Sequence, residues 1–330
     1  MLIKRDRLKF LINIKPKAPN LNAYIKTYNE GASIRPVINS RHAPSYKTAK
    51  LLNKKLLSLV NLTNTFITKK SYEVAQHLHN IQLHSNNRLV SLDIKDLFTN
   101  LPFKNILHTT EFWLSKNNND RMLIEQTLHL LQTVLEQNYF QHNNQLYQSN
   151  KGITVGSPIS STLAEIYLQY LEEKYIKHCL EHKDILYYRR YIDDLLLIYD
   201  QSKISADKIH NFINHNDVNL EFQISEEINN TLPYLNLSIS RSNNNVELDI
   251  YRKPSYTDMI HYTSNHLHNH KLAAFIFYIN RMISMPITCQ ATNQEWHKIL
   301  TMATNNGFPE HIIHELKKKL TTNKSTRKTK

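Results

Sequence analysis

Two adjacent carboxylates, Asp193 and Asp194, follow Tyr191 and Ile192 between two apolar runs of the sequence. Short runs rich in Tyr, Leu and Ile are typical of buried β-strands, so the acids are predicted to lie at the tip of a hairpin. Neighbouring carboxylates repel each other and are costly to desolvate, which makes divalent metal ions natural partners for them. Asp is also common in hairpin turns, so the tetrapeptide by itself leaves a metal site and a polar turn both open.

A third acid, Asp93, lies near the end of an apolar strand predicted from 88 to 94. Once a helical insertion from 103 to about 150 is set aside, the pattern predicts strand, helix, strand, strand, helix and strand, which is the β-α-β-β-α-β split arrangement. In that arrangement the first strand neighbours the central hairpin. We therefore expect Asp93 beside Asp193, with three carboxylates on one face of the sheet. The other elements predicted for this sheet are helices at 159–180 and 203–213 and a strand at 220–224.

The chain is strongly basic, because 41 of its 330 residues are Lys or Arg and 28 are Asp or Glu, a net charge of +13. This excess favours a polyanionic partner, with nucleic acid ahead of an anionic membrane surface. The two cysteines form no CxxC pair, and the apolar runs are too short to span a membrane. Glycine-rich phosphate loops are missing from the sequence, so side chains and metals must hold any phosphates. We expect a soluble, intracellular protein.

Three segments resemble, in order and approximate spacing, the palm motifs of reverse transcriptases. They are SLDIKDLFTNLP at 91–102, GITVGSPISS at 152–161 and YIDD at 191–194. More narrowly, LFTNLP, GSPISS and the segment IYRKPSYTD at 250–258 resemble the Penelope-like retroelement branch, which is related to telomerase. The likeness runs from about Arg35 to Arg281.

The resemblance implies an α+β right-hand polymerase with fingers, a palm built on the split sheet and a mainly helical thumb. Two further strands, at 234–240 and 246–252, are expected to extend the palm sheet, and helices near 269–284, 294–304 and 309–320 are expected in the thumb. The predicted parts are an N-terminal segment with fingers at 1–90, a palm strand with the first catalytic Asp at 91–102, a helical fingers insertion at 103–151, the rest of the palm at 152–258, the thumb at 259–320 and a basic disordered tail at 321–330.

The resemblance also assigns the catalytic acids. Asp93, Asp193 and Asp194 match the family's metal ligands, which hold two Mg²⁺ ions, with Mn²⁺ as a possible substitute. One ion lowers the pKa of the primer 3′-hydroxyl and the other neutralises the triphosphate, as two-metal phosphoryl transfer requires. A fourth acid nearby, Asp96, is expected to have a structural or solvent role.

Several residues match nucleotide-binding positions of the family. Phe98 matches a bulky gate that would clash with a ribose 2′-hydroxyl, although outside the motif a core Phe would be the simpler interpretation. Arg35 matches a fingers arginine aimed at the triphosphate, which suits bidentate guanidinium recognition. The remaining predicted nucleotide contacts are Gly156, Ser157, Pro158 and Tyr191.

The segment Tyr251, Arg252 and Lys253 matches the family's primer grip, in which an aromatic and basic strand follows a phosphodiester backbone. Two positions depart from the family pattern: Val155 replaces a common Gln, and Asn236 replaces an Asp.

The resemblance implies an RNA-directed DNA polymerase, a retroelement-derived reverse transcriptase that extends a primer 3′-hydroxyl. The expected partners are an RNA template, a DNA primer and dNTPs, with no membrane, and the expected location is nuclear. Two other interpretations stay open: a catalytically inactive nucleic-acid-binding remnant of such a polymerase, which would share the basic charge, and a metal-dependent nuclease that uses the same carboxylates. Val155 and Asn236 favour the remnant, whereas the retention of all three acids favours the enzyme.

Overall fold

The computed structural model describes residues 8–25, 34–62, 66–182, 185–242, 244–252 and 259–328, with side chains described up to residue 323. The chain forms two compact units. The first unit comprises Met1–Ile67, Leu92–Tyr188 and Lys203–Ile224, and the second comprises Thr68–Ser91, Arg189–Ser202 and Ser225–Lys330. The predicted α+β class is confirmed, since helices and sheets are both abundant.

A four-stranded sheet in the first unit has the order β2-β1-β4-β5. Its strands are β1 (Asn20–Ile25), β2 (Ile34–Asn39), β4 (Tyr139–His142) and β5 (Gln145–Gln148). β1 and β2 are antiparallel, with Tyr24 opposite Arg35. The last two strands lie within the insertion predicted at 103–151, so this insertion is not entirely helical.

Helices supply most of the core of the first unit. Trp113 anchors one of them by donating its indole N–H to the Ile166 carbonyl at 3.1 Å. The helices are α1 (Leu8–Leu11), α2 (Tyr46–Leu59), α4 (Leu97–Asn100), α5 (Phe103–Lys116), α6 (Arg121–Glu136), α7 (Ser160–Leu171), α8 (Lys177–Glu181) and α9 (Ala206–Asn216). Between α7 and α8 the chain forms a π-helical segment, Glu172–Ile176.

This π segment interrupts the single helix predicted at 159–180. Glu172 is buried there, and its carboxylate accepts a hydrogen bond from the Tyr188 hydroxyl at 3.0 Å. Ile176, at the other end of the segment, is buried as well. Hydropathy periodicity does not reveal a wider turn of this kind, because the pattern before and after it is still helical.

The predicted split sheet is present. Its strands are β3 (Asn87–Lys95), β6 (Ile185–Tyr191), β7 (Asp194–Asp200) and β8 (Glu221–Glu226), in the order β6-β7-β3-β8. This order places β3 next to β7, as the β-α-β-β-α-β arrangement requires. The sequence prediction for the palm topology is therefore confirmed.

The prediction that the strands after β8 extend the palm sheet is wrong. They do not extend the split sheet but form a separate sheet, β11-β10-β9. The single strand expected at 234–240 is two strands, β9 (Thr231–Tyr234) and β10 (Leu237–Ser242), and β11 is Asn245–Ile250. Leu235 and Asn236 have φ angles of 47° and 65°, so they form a tight turn that reverses the chain.

The thumb prediction of three helices agrees with the structure. Together with α3 (Ser71–His79), the second unit contains α10 (His268–Ser284), α11 (Cys289–Asn305) and α12 (Glu310–Lys328). Phe275, Ile279, Ile299 and Ile313 are fully buried where the last three helices pack. The final helix continues to Lys328, so the segment predicted as a disordered tail is helical up to that residue. In the described ranges no helix combines the length and apolarity that a bilayer crossing needs.

A buried polar network in the first unit provides a stability test. The Tyr167 hydroxyl donates to the Asp217 carboxylate and accepts from Asn105 at 3.4 Å. Burial raises the pKa of this hydroxyl, and the Asp217 carboxylate raises it further, so Tyr167 remains a donor. We predict that Tyr167→Phe lowers the free energy of unfolding by about 1–3 kcal/mol in denaturant titration, because a buried acceptor loses its partner.

The matched control is Tyr147→Phe. The Tyr147 hydroxyl donates to Gln145 at 2.9 Å, but both residues are exposed, so the change should stay within about 0.5 kcal/mol. Equal effects of the two substitutions would contradict the role assigned to the buried network.

Candidate active site

The turn that carries the GSP motif is held by two close backbone approaches in the first unit. Gly152 has a φ of +67°, and a Cβ atom there would lie 2.1 Å from the Thr99 carbonyl oxygen. Gly156 has a φ of +111°, and its Cβ would lie 2.2 Å from the Ile38 carbonyl oxygen. Only glycine fits either position. The two glycines therefore bring the β3–α4 segment and strand β2 against one turn.

Hydrogen bonds reinforce both approaches. The Ile153 N–H donates to the Phe98 carbonyl at 2.8 Å, and the Ile38 N–H donates to the Val155 carbonyl at 2.8 Å. Phe98 itself is half-buried. Val155 stands where the family commonly has Gln, but this second contact does not depend on the side chain because it uses only the backbone.

The other predicted nucleotide contacts of the first unit lie on the same elements. Ser157 and Pro158 follow Gly156 and are half-buried, and Arg35 is exposed on β2. The structure thus gathers Phe98, Gly156, Ser157 and Pro158 around one turn, with Arg35 on the strand that this turn contacts through Ile38.

The acidic tetrapeptide forms the turn between β6 and β7 in the second unit. Tyr191 ends β6, Ile192 and Asp193 make the turn, and Asp194 begins β7. Ile192 has a φ of 56°, which is unusual and strained for a β-branched residue. The Tyr234 hydroxyl donates to the Asp194 carbonyl at 3.0 Å. The prediction that the two acids lie at a hairpin tip agrees with this geometry.

Arg190 is a residue of this hairpin that sequence reasoning missed. Its side chain is only 1% exposed, and its guanidinium donates to the Ile192 carbonyl at 3.0 Å. The Arg190 carbonyl in turn accepts from the Thr68 N–H at 2.9 Å. The sequence feature that could have revealed Arg190 is its place inside a predicted buried strand, because a buried charge is tolerated only with hydrogen-bond partners.

Asp93 lies near the end of β3, where buried and exposed residues alternate. Leu92 and Ile94 are buried, whereas Asp93 and Lys95 are exposed. Lys95 pairs with Glu221 at 3.2 Å. Strand alternation therefore keeps the Asp93 carboxylate out of the apolar core.

The acids offer the hard oxygen ligands that Mg²⁺ prefers. The exposed Asp93 and the half-buried Asp193 and Asp194 are all described. Within the described ranges, no three His, Cys, Asp or Glu side chains are grouped closely enough to hold a metal ion. The carboxylate oxygens of the three acids thus suit divalent ions, and their joint binding of metal stays a prediction.

The predicted primer grip forms an ion-pair cluster in the second unit. Arg252 is paired with the fully buried Glu295, and its guanidinium lies 4.3 Å from the ring centre of Tyr278. Arg281 donates to the Tyr251 carbonyl at 3.1 Å. Burial lowers the pKa of Arg281, and the charge of Arg252 lowers it further. Arg252 therefore binds the carboxylate of the cluster, while Arg281 binds the main chain of the neighbouring Tyr251. Lys253 lies outside the described residues.

A split sheet with an acidic hairpin next to its first strand is the arrangement of a nucleic-acid polymerase palm. The family model "Reverse transcriptase (RNA-dependent DNA polymerase)" matches residues 29–227, which is more than half of the chain. The protein therefore belongs to the reverse transcriptase family, as the sequence motifs predicted. No curated protein matches the sequence significantly.

Solved telomerase structures share the fold. The telomerase of Candida albicans, in complex with the TWJ fragment of telomeric RNA, has a TM-score of 0.59 at 11% identity, over 91% of this chain and 57% of that one. The apo telomerase of Candida tropicalis truncated from its C-terminal domain has a TM-score of 0.55 at 14% identity, over 72% and 56%. The protein thus spans little more than half the length of these structures.

The strained turn residue provides a test of the hairpin geometry. We predict that Ile192→Asn raises the free energy of unfolding by about 1 kcal/mol, because Asn tolerates the left-handed region better than a β-branched residue. Ile192→Val is the control, since it keeps the branch and should bring no gain. Denaturant titration measures both, and a loss of stability in the Asn variant would contradict the turn conformation.

Proposed function

We propose that the protein is a retroelement-derived reverse transcriptase of the Penelope-like branch, which extends a DNA primer with dNTPs on an RNA template. The family match over 29–227 carries the proposal, since this range contains every predicted catalytic acid. The motifs LFTNLP and GSPISS support the narrower branch. A nuclear location is proposed with it, as expected of an enzyme that acts on genomic primers.

In this proposal Asp93, Asp193 and Asp194 hold two Mg²⁺ ions, or Mn²⁺ as a substitute. When bound, such ions lower the pKa of the primer 3′-hydroxyl and neutralise the departing pyrophosphate. The neighbouring strands β3 and β7 support the grouping of the acids. Arg190 and Tyr234 hold the backbone on either side of Asp193, through the carbonyls of Ile192 and Asp194, so they would fix the direction of its carboxylate.

The turn around Gly156 would receive the incoming nucleotide. Its φ of +111° and its close approach to Ile38 require glycine at this position, and Gly156 is exposed, so its main chain is open to contact with a base or sugar. Phe98 would exclude a 2′-hydroxyl, and the exposed Arg35 would bind the triphosphate. Ser157, Pro158 and Tyr191 would complete this nucleotide site.

The aromatic and basic cluster of the second unit would follow the primer backbone. Tyr251, Arg252 and Lys253 are the proposed contacts. Because Glu295 is fully buried and already paired with Arg252, the pair would set the position of this segment, and Tyr251 and Arg281 lie beside it. A cationic surface of this kind makes phosphate-dominated, salt-sensitive binding the expected behaviour.

An inactive nucleic-acid-binding remnant is the alternative. Its support is the loss of family side chains at Val155 and Asn236. Both substitutions are compatible with the structure, however: the Val155 contact uses only its carbonyl, which any residue supplies, and Asn236 has a φ of 65°, in a region that Asn visits readily. Neither change removes a predicted metal ligand, which supports the enzyme over the remnant.

The central test is Asp193→Asn in primer extension with an RNA template, Mg²⁺ and labelled dNTPs. We expect the rate to fall by at least about 100-fold, because a preorganised charge that stabilises the transition state is lost. Binding of the RNA template, measured by fluorescence anisotropy, should stay close to the wild-type value.

Asp96→Asn is the matched control, because Asp96 follows the first catalytic motif but contributes its backbone, accepting the Thr99 N–H at 3.1 Å. It should retain primer extension. Extension by Asp193→Asn at the wild-type rate would refute the metal assignment, an unchanged primer with the wild type would support the inactive remnant, and a shortened primer would indicate a nuclease.

The second test concerns Phe98. Phe98→Ala should raise incorporation of rNTPs relative to dNTPs, because the ring no longer occupies the space of a 2′-hydroxyl. Phe98→Tyr keeps the ring and should preserve the wild-type ratio. Single-nucleotide extension with each substrate gives the two ratios, and equal selectivity in the Ala variant and the wild type would rule out a gate at this position.

A further inference from the structure

Asn138 lies behind the glycine turn, at the junction of α6 and β4 in the first unit. It is only 5% exposed. Its side-chain amide donates to the Gly152 carbonyl at 3.2 Å, and its side-chain oxygen accepts from the Thr154 hydroxyl. The Asn138 carbonyl also accepts from the Ser149 N–H at 3.0 Å. One buried side chain therefore connects two points of the turn that lies before Gly156.

The space beside this contact is only partly filled. A cavity of ≈ 40 Å³ lies against the turn, and its lining mixes apolar residues, such as Ile38, Leu135 and Ile153, with polar ones, such as Ser40, Asn138 and Thr154. A close-packed core fixes its side chains by contact, but side chains that border a cavity have fewer contacts on that side. Hydrogen bonds therefore contribute to holding this side of the turn.

Other hydrogen bonds fix the far end of the turn. Ser40 donates to the Gly156 carbonyl at 2.9 Å, and Ser160 donates to the Thr154 carbonyl at 2.7 Å. Both of these act on backbone carbonyls from outside the segment 152–154. The Asn138 contacts differ because they join Gly152 to the side chain of Thr154, and so set the spacing within the segment itself.

Only a side-chain amide satisfies both contacts. Asn supplies N–H donors and a carbonyl acceptor at the end of a short side chain, whereas Asp would place a second acceptor against the Gly152 carbonyl. The position thus needs a hydrogen-bond donor and an acceptor on the same short side chain, so the chemistry of Asn138 matters as well as its size.

We propose that Asn138, through Thr154, is a positioning residue that presents the Gly156 turn to the incoming nucleotide. This inference rests on the proposed function, in which that turn contacts the dNTP. The metal-holding acids belong to other segments, so loss of Asn138 should weaken nucleotide binding and leave the chemical step largely unchanged. Such a loss of uniform binding raises KM at constant kcat.

The test is steady-state primer extension with Asn138→Ala and Thr154→Val. Each should raise KM for the dNTP about fivefold to tenfold, the scale of one buried hydrogen bond, with kcat within about twofold. Thr154→Ser keeps the hydroxyl and should restore the wild-type KM. Because both substitutions break the same contact, the double variant should show little more than the effect of Asn138→Ala alone.

Asn119→Ala is the control for a purely structural loss. Asn119 donates to the Leu59 and Leu114 carbonyls at 3.0 and 2.8 Å, so it fixes backbone within the same unit but not at the turn. It should lower the free energy of unfolding without changing KM. An unchanged KM in Asn138→Ala, additive effects in the double variant, or an equal rise of KM in Asn119→Ala would each overturn the proposal.

Equilibrium binding of a fluorescent dNTP, with Mg²⁺ and an RNA–DNA primer-template, separates this inference from the proposed function. If the wild type binds the dNTP but does not extend the primer, the polymerase proposal fails, and the Kd ratios of the variants still test Asn138. Weaker binding in Asn138→Ala and Thr154→Val, with wild-type binding in Thr154→Ser, would support the inference, whereas no dNTP binding by the wild type would overturn both.

Discussion

Two places where the backbone leaves no room for a Cβ atom determine how the turn that carries the GSP motif is built. At Gly152 the chain meets the Thr99 carbonyl, and at Gly156 it meets the Ile38 carbonyl. Segments that are far apart in sequence can approach this closely only where no Cβ atom lies between the two backbones. Because the sequence contains only 4 glycines, half of them serve this one turn. Phe98, Ser157 and Pro158 have their positions as a consequence of these two contacts.

The acidic hairpin is held by hydrogen bonds and not by a close approach of two backbones. Its turn contains a strained Ile192 and is stabilised by hydrogen bonds to main-chain carbonyls, one of them from the buried guanidinium of Arg190. Buried arginine is costly unless its donors are satisfied, and strained φ angles persist only where surrounding contacts determine them. The two features compensate each other, because the Ile192 carbonyl gives the buried guanidinium an acceptor and the same hydrogen bond holds the strained turn residue.

The split sheet and the three C-terminal helices could be predicted from sequence because their hydrophobic periods are long and regular. The turn at Leu235 and Asn236 could not, since Leu is not a usual turn residue and the apolar pattern continues through it. The roles of Asn138 and Arg190 also escaped prediction, because each depends on a hydrogen bond to a main-chain carbonyl and not on a motif. The catalytic role predicted for the three acids rests on family resemblance, because composition and spacing alone left a metal site and a polar turn both open.

The π-helical segment Glu172–Ile176 has a consequence for comparing this protein with its relatives. A π turn contains about one more residue than an α turn, so it is a place where a helix can take up one extra residue. Since each residue of an α-helix turns the chain by about 100°, an extra residue in a regular helix would rotate every residue after it, whereas a wide turn lets those residues keep their faces. In an alignment with a relative whose helix is regular, the gap belongs inside 172–176, because any other placement would put buried positions such as Ile176 opposite exposed ones.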